Sequence, residues 1–145
     1  MAAALEEDRE QTVVTERGKR AKILVMDDEA IVRNVAGELI RALGHEAELA
    51  EHGEAATELY RNARQAGRPF DLVILDLTIR GGMGGLETMK GLKEIDPEVR
   101  VVVSSGYSDD SAMGGSMQHG FIASLKKPYT IEALRNMLSA VLGDA

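Results

Sequence analysis

A chain of 145 residues is long enough for one domain with a real core and too short for two of ordinary size. Its 44% hydrophobic and 28% charged residues are the balance of a folded domain, which excludes a disordered or fibrous chain as a whole. The 24 Asp and Glu exceed the 17 Lys and Arg, and a net charge of −7 opposes the phosphates of nucleic acid, so no direct DNA or RNA binding is expected. The absence of cysteine excludes disulfides, thiolate metal sites and cysteine nucleophiles together. No apolar run approaches the roughly twenty residues of a membrane helix, and no signal-peptide h-region heads the chain; no membrane insertion and a cytoplasmic location are the expectation.

Residues 1–20 are rich in Glu, Arg, Lys and Thr without a helical or strand period, and are read as a flexible tail or linker ahead of one domain over 21–145. Ile23-Leu24-Val25-Met26 is an apolar run stopped by Asp27-Asp28-Glu29, the pattern of a fully buried strand reaching a polar edge. Ile31, Val32, Val35, Leu39, Ile40 and Leu43 then recur at helical spacing, with Gly44 where a C′ glycine would sit. Residues 47–50 form a short second strand, and Ala56, Leu59, Tyr60 and Ala63 share a second helical face before Gly67 and Pro69. The strongest strand is Phe70-Asp71-Leu72-Val73-Ile74-Leu75-Asp76, again ended by an aspartate. A glycine-rich loop over 81–85 leads into a third helix carrying Leu86, Met89, Leu92 and Ile95 and stopped at Asp96-Pro97.

Residues 99–104 make a fourth strand. A fourth helix over 109–119 is expected to be weak and mobile, because Gly114 and Gly115 each cost about 1 kcal/mol in a helix interior. Residues 122–125 make a fifth strand, and Thr130 caps a fifth, amphipathic helix bearing Ile131, Leu134, Leu138 and Val141. Buried strands alternating with helices imply a doubly wound α/β domain with a parallel five-stranded sheet. Its expected order is 2-1-3-4-5, with the ligand crevice outside the carboxyl ends of strands one and three.

That topology brings Asp27, Asp28 and Asp76 to one crevice. Close carboxylates repel, and an all-oxygen site of this kind suits a hard cation such as Mg²⁺, or Mn²⁺. A hydroxyl from Ser104 or Ser105 and the ammonium of Lys127 reach the same edge. The set suits a phosphoryl group: a carboxylate attacks phosphorus while cation, ammonium and hydroxyl offset the charge on its oxygens. Asp76 is the nucleophile candidate.

Asp27-Asp28, Asp76, Ser105-Gly106 and Lys127-Pro128, each at a strand end and in this order, resemble the motif set of bacterial response-regulator receiver domains, over roughly 22–142. The resemblance implies a flavodoxin-like (βα)5 fold and a two-component phosphorelay in which Asp76 is the phosphoacceptor. It implies that Asp27, Asp28, Asp76 and the backbone carbonyl of Thr78 hold the metal, that Ser105 and Lys127 bind phosphate, that Thr78 and Tyr107 tune its lifetime, and that the Lys127-Pro128 peptide is cis. The implied partners are a histidine kinase or histidine phosphotransfer protein and a downstream protein reading the fourth helix, fifth strand and fifth helix. Ser124 stands where receivers often carry the aromatic ring that reports phosphorylation, and the glycine-rich loop after Asp76 resembles receivers of hybrid histidine kinases.

Alone, Asp27-Asp28 could be an acidic pair at a helix N-terminus, Lys126 and Lys127 could be solvated, and Ser104 is read as satisfying loop amides. Gly81 to Gly85 matches neither G-x-G-x-x-G nor a P-loop, so it is read as a flexible loop. His45, His52 and His119 share no ligand spacing and are read as surface or loop residues; the methionines are read as core filler. Two other functions compete. A phosphatase of the haloacid dehalogenase type needs a second aspartate two residues after the nucleophile, where this chain has Thr78. A non-phosphorylated interaction module predicts lost acidic or lysine positions, and none is lost. A signalling switch with slow autodephosphorylation, not a dedicated metabolic enzyme, fits better.

Overall fold

The computed structural model describes residues 20–77, 84–105 and 120–143. The tail expected over 1–20 (all but its last residue), Thr78, Tyr107, His119 and the helix expected over 109–119 lie outside the described residues. The chain runs β1 (Lys22–Met26), α1 (Ala30–Ala42), β2 (Glu46–Ala50), α2 (Gly53–Gln65), β3 (Leu72–Asp76), α3 (Gly85–Ile95), β4 (Val101–Ser105), β5 (Ala123–Lys126) and α4 (Ile131–Leu142). The strands form one parallel sheet in the order β2-β1-β3-β4-β5, as expected.

The apolar strands are buried because both faces of the sheet are covered, and alternation divides their side chains between two cores. Leu24, Met26, Val73, Leu75, Val101 and Val103 meet Ala56 and Tyr60 of α2 and Met89 and Leu92 of α3. Ile23, Val25, Leu72, Ile74 and Val102 meet Ala36 and Ile40 of α1 and Leu134, Met137 and Leu138 of α4. Each fully buried Leu, Ile or Val of this kind contributes roughly 1.5–3 kcal/mol.

The helices stop where local chemistry stops them. Gly44, at φ 95°, takes the left-handed conformation just past α1 and donates to the Arg41 carbonyl at 3.0 Å. Thr130 Oγ1 caps α4 by accepting from the Ala133 amide at 3.0 Å.

Several boundaries differ from the sequence reading. β3 begins at Leu72 because Phe70 leaves the ladder to stack on Tyr60, ring centroids 6.0 Å apart. β4 begins at Val101 because the Val99 amide closes a turn onto the Asp96 carbonyl at 3.0 Å. Gly85, expected in a loop, is the first residue of α3, and Gly84 is its N-cap. The Thr88 amide and hydroxyl both donate to the Gly84 carbonyl, at 2.9 and 2.7 Å, and close that first turn. His45 and His52 lie in loops, where each accepts a backbone amide: Ala21 at 2.9 Å and Ala55 at 3.2 Å. No helix among the described residues is long and apolar enough to cross a membrane.

Candidate functional site

Because all five strands run the same way, their carboxyl ends share one edge, and the residues that end the strands gather there. Met26 pairs with Leu75 in the β1–β3 register, so Asp27 and Asp76 follow at the same level. Asp27, Asp28 and Asp76 each place one carboxylate oxygen within 4.8 Å of the other two. Asp27 is fully buried and Asp76 is 2% exposed, while Asp28 is the most open of the three.

Lys127 follows the last residue of β5, and its Nζ donates to Asp27 Oδ2 at 3.1 Å and to Asp76 Oδ2 at 3.3 Å. Glu29 Oε1 lies 3.9 Å from the same ammonium. Burial works to lower the lysine's pKa, but the charges of Asp76 and Asp27 and their hydrogen bonds outweigh it and hold the group above the usual lysine value. Lys127 is therefore a charged member of the cluster, not a solvated surface residue.

Asp27 is aimed from both sides. Its Oδ1 accepts the Glu29 amide at 2.9 Å, and its backbone carbonyl accepts Arg33 Nη1 at 2.8 Å. Glu29 is the N-cap residue of α1 and makes no side-chain cap bond, while Asp27 accepts the Glu29 amide. Glu29 and Arg33 were not singled out in the sequence. Arg33 had a signal, since a helical arginine one turn into α1 reaches back to the strand end.

Ser104, read as satisfying loop amides, does something else. It is fully buried, and its hydroxyl shares a 2.5 Å hydrogen bond with the hydroxyl of Tyr129. Ser104 sits on the sheet face shared with α4, so its nearest partner is that phenol and not a loop. Burial pushes the Tyr129 phenol pKa up; its bond to Ser104 opposes this, and the charges of Asp27 and Asp76 add to it. The Lys127-Pro128 peptide bond is cis. Ser124 lies in β5 with its side chain toward solvent.

The α3 N-terminus presses on the end of β3. A Cβ added to Gly85 would lie 2.6 Å from the Asp76 carbonyl oxygen and 3.1 Å from Leu77 Cα, so only glycine allows this approach.

The chemistry of the cluster follows from its charges. Three clustered carboxylates, all of them hard oxygen donors, meet one ammonium that bonds two of them. A divalent cation fits the donor type and their spacing. Among the described residues this is the group of carboxylates that could hold a metal.

Comparison with known proteins converges on the same region. Residues 23–139 match the family model described as response regulator receiver domain. Sporulation initiation phosphotransferase F of Bacillus subtilis is 30% identical over 121 residues, 83% of this chain and 93% of that protein. The transcriptional regulatory protein ZraR of Klebsiella oxytoca is 30% identical over 125 residues, 86% of this chain but 27% of that longer protein. The solved REC domain of AraT, a response regulator from Geobacillus stearothermophilus, superposes with a TM-score of 0.73 at 30% identity, covering 85% of this chain and 93% of that one.

Proposed function

The chain belongs to the response regulator receiver domain family, and from that premise we propose that Asp76 accepts a phosphoryl group from a phosphohistidine donor at a site completed by Mg²⁺ or Mn²⁺. The observation that carries this reading is the placement of Lys127 between Asp27 and Asp76 in a cluster of three carboxylates.

An Asp76 carboxylate oxygen forms a bond to phosphorus as the bond from phosphorus to the donor's imidazole nitrogen breaks. The electron pair of that bond stays with the imidazole, which leaves neutral because its other nitrogen keeps its proton. Lys127, already 3.3 Å from Asp76 Oδ2, shifts part of its pairing to the phosphoryl oxygens and offsets their charge. When bound, the divalent cation supplies the remaining neutralisation of carboxylates and phosphoryl oxygens. Asp27, Asp28 and Asp76 would hold it, with the backbone carbonyl of Thr78 as a further ligand. Ser105 bonds the phosphoryl group once it is in place, and Thr78 and Tyr107 set how long the acyl phosphate survives.

The donor is a histidine kinase or a histidine phosphotransfer protein, a reading supported by likeness to a protein named as a phosphotransferase. The readout is a protein contact through the segment over 109–119, β5 and α4, biased between two packings by the phosphoryl group. Residues 1–20 act as a tail or linker. The protein is a phosphorylation-dependent switch and not a metabolic enzyme.

Intact-mass spectrometry after incubation with acetyl phosphate and Mg²⁺ tests the reading. The expected result is one added phosphoryl group in the wild type, and none in Asp76→Asn or with the metal chelated. No adduct from acetyl phosphate or from a phosphohistidine donor would leave an interaction module as the better account, and rapid Asp76-dependent release of phosphate would favour a phosphatase.

A further inference from the structure

We infer that Tyr129 is a positioning residue for phosphoryl transfer, using its hydrogen bond to Ser104 to hold Lys127 over Asp76; this rests on the reading of the site given above.

The β4–β5 ladder ends at the pair Ser105 and Lys126, so Lys127 lies one residue beyond the last strand pairing. Its ammonium must nevertheless sit at 3.1 and 3.3 Å from two carboxylates on other strands. Tyr129, two residues further on, supplies a fixed point for this segment. Tyr129 is 8% exposed within the core that α1 and α4 share with the sheet.

Ser104 is the other half of the anchor and is itself registered to the site. It pairs with Asp76 across β3–β4 and with Leu125 across β4–β5. The shared hydrogen bond therefore links the segment carrying Lys127 to the sheet row that carries Asp76. A phenylalanine facing an alanine would fill nearly the same space without polar atoms. Two buried hydroxyls instead accept one mutual geometry, because any slip leaves both unsatisfied. An ammonium that must meet oxygens in a developing transition state is sensitive to displacements well under a bond length.

The test compares rates of adduct formation with acetyl phosphate and Mg²⁺ in the wild type, Tyr129→Phe, Ser104→Ala, the Tyr129→Phe/Ser104→Ala double variant, and Tyr129→Phe placed in a Lys127→Ala background. Tyr129→Phe is expected to slow uptake about five-fold, the effect of losing one hydrogen bond of ordinary net strength. The double variant should regain melting temperature, since no hydroxyl is left unsatisfied, yet stay as slow as Tyr129→Phe. In the Lys127→Ala background Tyr129→Phe should change nothing, because the group it positions is gone.

An unchanged rate in Tyr129→Phe would overturn the inference. So would an equal slowing with and without Lys127, or a double variant whose rate recovers along with its stability, since each marks a role confined to packing. A wild type that takes up no phosphoryl group would remove the function and this inference together, whereas normal wild-type uptake matched by Tyr129→Phe removes only the inference.

Discussion

Asp76 and Asp96 both adjoin the ends of regular elements, and their surroundings have been resolved in opposite ways. Asp96 follows α3 and is answered by three donors: the Tyr60 hydroxyl at 2.7 Å, Arg64 Nη1 at 3.1 Å and the Glu98 amide at 3.0 Å. Burial works to raise its pKa, but the bonds from Tyr60, Glu98 and Arg64 outweigh it and hold the carboxyl below its ordinary value. Tyr60, buried and donating to that carboxylate, has its own pKa pushed up. At Asp76 the reverse holds: three carboxylates crowd one edge, and a single lysine is shared between two of them. The first region joins α2 to the end of α3 and holds the fold. The second gathers three carboxylates at one edge with one lysine between two of them, an arrangement suited to taking up a cation and then a phosphoryl group. A balanced polar cluster stabilises, whereas an unbalanced one is held in place by its surroundings and is available for chemistry.

The largest expected break in this contrast comes from α3, which touches both regions. Gly85→Ala would force a Cβ to within 2.6 Å of the Asp76 carbonyl, so the helix start or the strand end must move. A loss of about 1–3 kcal/mol is expected, as for overpacking elsewhere, with slower phosphoryl uptake. A Cβ on Gly91, six residues along the same helix, meets nothing within 4 Å, so Gly91→Ala should stabilise by up to about 1 kcal/mol and leave uptake unchanged. Urea midpoints and adduct rates for the two variants check the pair, and equal effects would contradict it.

A smaller effect is expected at the balanced end. Asp96→Asn turns one acceptor into a donor facing Arg64, Tyr60 or the Glu98 amide, and should cost about 1 kcal/mol at neutral pH because the carboxylate is partly exposed. Its folded pKa is depressed, so its contribution is present above the ordinary carboxylate value and is lost as pH falls through the folded one. The gap between wild type and variant should therefore close in acid while phosphoryl uptake at neutral pH stays the same. A gap that widens in acid would show that the bonds to Asp96 do not favour its charged form.

The smallest effect concerns the cation. Asp28→Asn removes one of the three clustered carboxylates and should shrink the rise in melting temperature that Mg²⁺ produces. Thermal melts with and without Mg²⁺ measure this; an unchanged rise would show that Asp28 does not hold the cation.

Much of the fold was legible because its signals are local. Apolar runs ended by aspartate located β1 and β3, helical spacing located α1, α2 and α4, and the alternation of the two required a parallel sheet. Those runs also placed Asp27, Asp28 and Asp76 together, since parallel strands share a carboxyl edge. Less legible were boundaries settled by packing or turns, such as Phe70 leaving β3 to stack on Tyr60. Least legible was Ser104. A serine beside another serine at a strand end carries no mark of which one turns inward, and only the opposing Tyr129 hydroxyl gives it a role.

Periodicity and strand-end residues, which need only neighbours a few positions away, determined the alternating α/β architecture and the strand ends at which the carboxylates lie, and the general rule for doubly wound sheets supplied the strand order. Tertiary structure decided how the charges are answered. Lys127 meets Asp27 across 100 positions and Asp76 across 51, Tyr129 meets Ser104 across 25, and Asp96 is balanced by Tyr60 across 36. Such pairings depend on side-chain direction and on which partner arrives within about 3 Å, and those quantities exist only once the sheet has set the register and the helices have closed over its faces.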